Sequence, residues 1–208
     1  MRIIHTSDWH LGHTLMDKTR EDEMKAFFSF LLDTIKEKKV DTVLTKSNLP
    51  IAGYSINTYV GCPFACKYCY ATFMKRFTGH KEDWGTFLDV KIWDKIKNPK
   101  KYKGQTMIVG SVTDGYNYFE AKYKRTRAFL EEMQGSEINL IITTKSNLVT
   151  RDIELIKTYP KPLVAWSINT LDENFKKDME NTPTIKSRIE AMKQIHKEGI
   201  RTTCFISP

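Results

Sequence analysis

Short β-branched runs alternate with amphipathic segments from Thr45 to the C-terminus. The strand candidates are "YSINTYV", "TMIVGSVT", "INLIITTKS", "LVAWSINT" and "RTTCFISP"; helices are expected around "KRTRAFLEEM", "RDIELIKTY" and "TIKSRIEAMKQIHKE". Parallel neighbours need a long crossover, so five strands separated by helices imply a parallel sheet or an incomplete barrel. In the last helix Ile185, Ile189, Met192 and Ile195 recur at three- and four-residue spacing and form its buried stripe. Gly199 is placed to end that helix in a left-handed cap.

The first 44 residues read differently, with a seam near Leu44 and Thr45. "RIIHTS", a helix over roughly Arg20 to Lys38 and "VDTVL" form one βαβ-like unit. Met24, Phe27, Phe28, Leu31, Leu32 and Ile35 give that helix an apolar face. The pentapeptide "TKSNL" occurs at Thr45 and again at Thr144, but its surroundings do not match, so it does not define a repeat.

A chain of 208 residues suits one domain, or one domain with a short appendage, and 40% apolar with 12% aromatic residues excludes a disordered composition. No apolar run reaches the roughly 18 to 20 residues that cross a bilayer, and "MRIIHTSDWH" lacks the order of a signal peptide, so a cytoplasmic location is expected. The 33 Lys plus Arg against 25 Asp plus Glu give +8. That excess favours a polyanion such as nucleic acid, although scattered lysines also suit a solvated basic face.

Cys62, Cys66 and Cys69 crowd into "GCPFACKYCY", and the chain has one further cysteine, Cys204. An odd-numbered cluster in a cytoplasmic-looking chain points to metal or cluster binding rather than disulfides. A C-x3-C-x2-C spacing lets three thiolates serve three corners of a cubane iron-sulfur cluster. Tetrahedral zinc is the alternative, with His80 or Cys204 as fourth donor. Cys204 also reads as a plain buried cysteine on the last strand.

"GCPFACKYCY" resembles the signature of the radical S-adenosylmethionine (SAM) enzymes, with an aromatic directly before the third cysteine. The resemblance covers about Thr45 to Pro208 and is nearest to the spore photoproduct lyase-like group, also labelled DNA repair photolyases. "LTKSNLP", "INTYVGCPFACKYCYATFMKRFTGH" and "WGTFLDVK" resemble the branch called radical SAM mobile pair protein B. It implies an α/β partial (βα) barrel, with Cys62, Cys66 and Cys69 holding a [4Fe-4S] cluster in the loop after the first strand. SAM would bind the fourth iron, and reduction by flavodoxin or ferredoxin would yield a 5'-deoxyadenosyl radical for hydrogen abstraction. A nucleic-acid-related substrate and a second radical SAM protein of the mobile pair are the further partners it implies; no membrane is expected.

The same resemblance implies that Lys145 pairs with the SAM carboxylate, that Ser167 offers it a hydroxyl and that Tyr68 touches cluster or cofactor. Ser111, Thr113 and Asp114 in "GSVTDGY" would face the adenosyl or substrate region. Each is also an ordinary strand-end polar residue, and Tyr68 and Tyr70 could simply fill core. Arg127, Glu180 and Arg188 match charged positions of the relatives but read equally as surface salt bridges. Spore photoproduct lyase has a hydrogen-donating cysteine in the segment corresponding to "GSVTD"; Ser111 stands there instead, which argues against dimer repair.

"MRIIHTSDWHLGHTL" resembles the start of the SbcD-type nuclease subunit, a calcineurin-like metallophosphoesterase, with Asp8 and His10 as its D-x-H ligands. Two-metal hydrolysis needs further ligands, and "TKSNLPIAGYS" stands where the next motif would follow. Residues 1-44 are therefore expected to be a nonfunctional nuclease fragment, and 45-208 a radical SAM core that is C-terminally truncated, since related barrels continue past this fifth strand. The rival readings are an SbcD-like metal-dependent exonuclease and a zinc-stabilised nucleic-acid-binding module.

Overall fold

The computed structural model describes residues 35–206 and the backbone of a small antiparallel ribbon, β1 (Thr14–Leu15) with β2 (Lys18–Thr19). Asp8, His10, the expected strand "RIIHTS", most of the expected helix after Arg20 and the final Pro208 lie outside the described residues. Where that helix was expected to end, the chain instead forms β3 (Ile35–Lys39), paired in parallel with β7 (Leu88–Ile92). The pairing supplies ladder partners that a helix end would lack. "VDTVL" is likewise not a strand as a whole, because β4 (Leu44–Lys46) begins only at its last residue.

Six strands form the main sheet, in the order β11 (Arg201–Phe205), β10 (Leu163–Ser167), β9 (Asn139–Thr144), β8 (Thr106–Val109), β5 (Tyr54–Ile56) and β4. The five expected strands are all present and mutually parallel, while β4 runs antiparallel to β5. The sheet does not close: β4 and β11 are its two edges. Helices return the chain between strands: α1 (Glu120–Tyr123) and α2 (Arg125–Met133), α3 (Ile153–Ile156), then α4 (Glu173–Met179) and α5 (Ile185–Lys197).

The core lies between sheet and helices. Met107, Val109, Leu140, Ile142, Val164 and Trp166 on the strands meet Phe129, Leu130, Met133 and Ile195 on the helices, all of them buried. Each such side chain contributes roughly 1.5–3 kcal/mol by leaving water. On β9, Leu140 and Ile142 are buried while Ile141 and Thr143 are only half-buried on the opposite face. That second face is the inner side of the open barrel.

Helix ends follow their side chains. Asp172 accepts from Asn174 N and Phe175 N at the start of α4, and Thr184 accepts from Ser187 N at the start of α5. Gly199 has φ +80, which suits the left-handed cap. Ile185 and Ile195 are buried on α5 as expected, while Ile189 and Met192 are half-buried. Arg188 joins the buried face at 1% exposure.

"YSINTYV" is two strands rather than one. β5 joins the main sheet and β6 (Tyr59–Val60) turns away to pair with β7. The break falls at Asn57 and Thr58. Asn57 Oδ1 accepts from Val112 N and Thr113 N at 2.9 and 3.2 Å, and the Thr58 hydroxyl bonds that of Thr126 at 2.8 Å. These side chains satisfy groups the sheet leaves open and steer the chain into the cysteine loop.

Candidate functional site

The cysteine loop is shaped by backbone before any ligand is considered. Gly61 has φ +85, and a Cβ there would lie 2.3 Å from the Phe87 carbonyl oxygen, so only glycine fits the entry. Two tight turns follow, closed by Ala65 N donating to Cys62 O at 3.1 Å and Cys69 N to Cys66 O at 3.0 Å. The loop is then bracketed by the end of α4: Lys67 N donates to Met179 O at 2.9 Å, and Asn181 N to Phe64 O at 2.8 Å. Phe64 is buried edge-on against Tyr118, with centroids 5.1 Å apart.

All three thiols are free; Cys62 is buried, and Cys66 and Cys69 are half-buried. Burial, then the nearby Asp114 carboxylate, pushes the Cys62 thiol up to about 12. Burial and the neighbouring Cys62 and Glu180 also raise Cys66, against the pull of Lys145. Such thiols shed their protons when a metal takes the proton's place.

Glu180 is the hub beneath the loop. One carboxylate oxygen accepts from the Tyr68 hydroxyl, stands 3.7 Å from Cys66 Sγ and pairs with Lys145 Nζ at 3.3 Å. The other oxygen accepts from Arg188 Nη2 and, at 2.8 Å, from the Thr182 hydroxyl. Lys145 Nζ also donates to Tyr68 Oη at 3.0 Å. Burial pushes the Glu180 pKa up, but the charges of Lys145 and Arg188 and the bonds from Tyr68 and Arg188 overcome it and hold it at about 2. The group is a carboxylate, and its two cations tie the cysteine loop to the ends of β9 and β10, since Arg188 Nη1 also donates to Ser167 O at 3.1 Å.

The residues singled out in the sequence meet here unevenly. Tyr68 and Lys145 touch each other and Glu180. Ser111 bonds the Ser55 hydroxyl, and its carbonyl accepts from Tyr70 Oη, which leans over it. Asp114 is half-buried and serves the turn after β8: its carboxylate accepts from Tyr116 N, the Thr144 hydroxyl and Lys145 N, at 2.7–2.8 Å. Burial raises its pKa against these bonds. Thr113 Oγ1 is buried with no hydrogen-bond partner, and so is Asn169 Oδ1 just past Ser167. Buried polar atoms without partners at two strand ends suit a polar molecule seated between them.

Glu180 and Arg188 are not surface groups: their side chains are 4% and 1% exposed. Arg127 is half-exposed but bonds the buried Asp152 at 2.6 Å, in a separate network with Arg151 and Glu120. The place of Arg188 three residues after Ile185 on the apolar stripe was a second sign of its burial, whereas only the resemblance marked Glu180. His80 is engaged elsewhere, with Nε2 2.9 Å from Asp89, Nδ1 3.1 Å from Glu82 and its ring stacked on Phe87. Cys204 sits opposite Trp166 on β11. Among the described residues no three His, Cys, Asp or Glu side chains gather round one point, as a single metal ion requires, and no helix is long and apolar enough to cross a membrane.

The profile of the Radical SAM superfamily matches residues 56–208. The protein MJ0683 of Methanocaldococcus jannaschii is 40% identical over 177 residues, 84% of this chain and 66% of that protein. A solved spore photoproduct lyase variant with bound AdoMet and dinucleoside spore photoproduct aligns at TM-score 0.63 and 16% identity, over 84% of this chain and 51% of the lyase. The chain thus spans between about half and two thirds of these relatives' lengths. The SbcD component of the SbcCD nuclease of Escherichia coli K12 is 45% identical over 49 residues, 24% of this chain and 12% of that protein.

Proposed function

The chain belongs to the Radical SAM superfamily, and on that premise we propose that it is a SAM-dependent radical protein acting on a nucleic-acid-related substrate. Cys62, Cys66 and Cys69 would hold a [4Fe-4S] cluster, leaving one iron to SAM. When bound, that pair supplies a 5'-deoxyadenosyl radical able to take hydrogen from a substrate. The observation that carries the reading is the meeting of the three-thiol loop with the strand-end cation Lys145 at Glu180.

The residues present fit the cofactor pair. Three free thiols on one loop suit separate irons, whereas a single zinc needs four donors round one point, and His80 is committed to Asp89 and Glu82. Lys145 Nζ stands beside the loop and would take the SAM carboxylate. Tyr68 orients Lys145, and Glu180 keeps both in place. The unpartnered Thr113 hydroxyl, with Ser111 and the Ser167 hydroxyl, offers polar contacts at the ends of β8 and β10, while Asp114 holds the backbone turn that presents them.

An electron donor such as flavodoxin or ferredoxin, a second radical SAM protein and a cytoplasmic setting belong to the same proposal. So does a division into a nuclease-like segment at 1–44 and a radical SAM unit at 45–208; for the former we expect no phosphodiesterase turnover. Anaerobic reconstitution of the full chain with iron and sulfide is expected to load about four irons and, with dithionite, to cleave SAM to 5'-deoxyadenosine. Stoichiometric zinc with no iron cluster under those conditions would overturn the reading. Manganese-dependent nuclease activity abolished by Asp8→Ala would overturn the assignment of the first 44 residues.

A further inference from the structure

We propose that the 3-10 helix Tyr70–Phe77 is a stacking platform for single-stranded nucleic acid, leading the strand to the cysteine loop. The helix starts directly after Cys69 and is anchored by Ala71, which is fully buried. It presents Phe73 and Phe77 at 49% and 65% exposure, whereas Phe64 and Phe87 nearby are buried at 1% and 2%. Large rings on the surface lose the stabilisation of burial, so a pair of them on one short helix calls for a partner.

The chemistry of that partner follows from what stands between the rings. The Arg76 guanidinium lies 5.5 Å from the Phe73 centroid and 4.7 Å from that of Phe77, a cation held over two aromatic faces. Phe73, Lys75, Arg76 and His80 line an open cleft of about 590 Å³, large enough for a nucleobase and its sugar. Lys67 and Lys81 are exposed at either end of the helix, while Lys75 is tied to Asp83 at 3.0 Å. Rings interleaved with arginine and flanked by lysines match how single strands are bound, bases on the rings and phosphates on the cations. An acidic protein would be drawn mainly by the cations, and a duplex keeps its bases stacked on one another. Tyr70, the first residue of the helix, donates to the Ser111 carbonyl past the end of β8, so the platform runs from the strand-end site outward.

This surface rests on the proposed function for the chemistry done to the strand, but not for binding it. The test is fluorescence anisotropy of a labelled oligothymidylate of about twelve nucleotides, within the usual span of such sites, with the reconstituted full chain. Phe73→Ala/Phe77→Ala is expected to weaken binding at least about 30-fold, given the typical loss per stacked base. Arg76→Ala is expected to weaken it by roughly 3- to 10-fold and to flatten the salt dependence. Iron content and SAM cleavage without nucleic acid should stay at the parent level in both variants, because none of the three residues touches the thiols or Lys145. Unchanged affinity in the double variant overturns the proposal, as does equal affinity for a duplex of the same length or displacement by polyglutamate at matched charge. Single-strand binding that persists in a chain unable to load iron sustains the platform while sinking the radical chemistry.

Discussion

The pentapeptide Thr-Lys-Ser-Asn-Leu stands at Thr45–Leu49 and again at Thr144–Leu148, and the two copies share one local hydrogen bond. In each, the leucine N–H donates to the serine hydroxyl two residues earlier, at 3.1 Å. Beyond that bond they diverge. The first copy leaves the antiparallel edge strand β4, and Lys46 and Leu49 face solvent. The second leaves β9, which has parallel neighbours on both sides; Ser146 is buried, its carbonyl accepts from the Trp166 indole at 3.1 Å, and Lys145 reaches Tyr68 and Glu180. The comparison teaches that five residues can dictate a local side-chain bond, while the chemistry of the lysine depends on which strand delivers it.

The largest expected effect comes from removing what Lys145 has and Lys46 lacks. Glu180→Gln leaves Arg188 buried without its counter-charge and should lower stability by about 3–5 kcal/mol, read as a shift in the urea midpoint of the full chain. A shift under about 1 kcal/mol would mean that the hub is not a structural tie.

Swapping the lysines sharpens the contrast next. Lys145→Met should weaken SAM binding to the reconstituted protein by roughly 10- to 100-fold, the value of one charge-assisted bond. Lys46→Met should leave it within about twofold, the scale of a screened surface charge. Equal losses in equilibrium dialysis would erase the distinction between the copies. The smallest effect lies in the serines. Ser146→Ala strands the part-buried Leu148 N–H and should cost about 1 kcal/mol, while Ser47→Ala, where water can replace the hydroxyl, should cost below about 0.5 kcal/mol.

Much of the sheet was legible because its cues are local. β-branched runs and three- and four-residue apolar spacing marked the five parallel strands, α2 and α5, and Gly199 marked a helix end. β7 escaped notice because its partners, Ile35–Lys39 and Tyr59–Val60, come from either side of the seam at Leu44. The expected helix running to Lys38 had the right apolar period, but its last turn takes a strand conformation against β7, where pairing outweighs helix propensity.

The three thiols, their spacing and the hydroxyls at successive strand ends are properties of the chain itself, since a loop of eight residues and the ends of strands carry their own chemistry. Glu180 lies 114 residues from Cys66, and only the packing of α4 against the cysteine loop brings that carboxylate to the thiol. Tertiary packing also buries Arg188 and makes one of two identical pentapeptides part of a site. A charge acquires its role from the dielectric and the partners around it, and those are set by contacts between residues far apart in sequence.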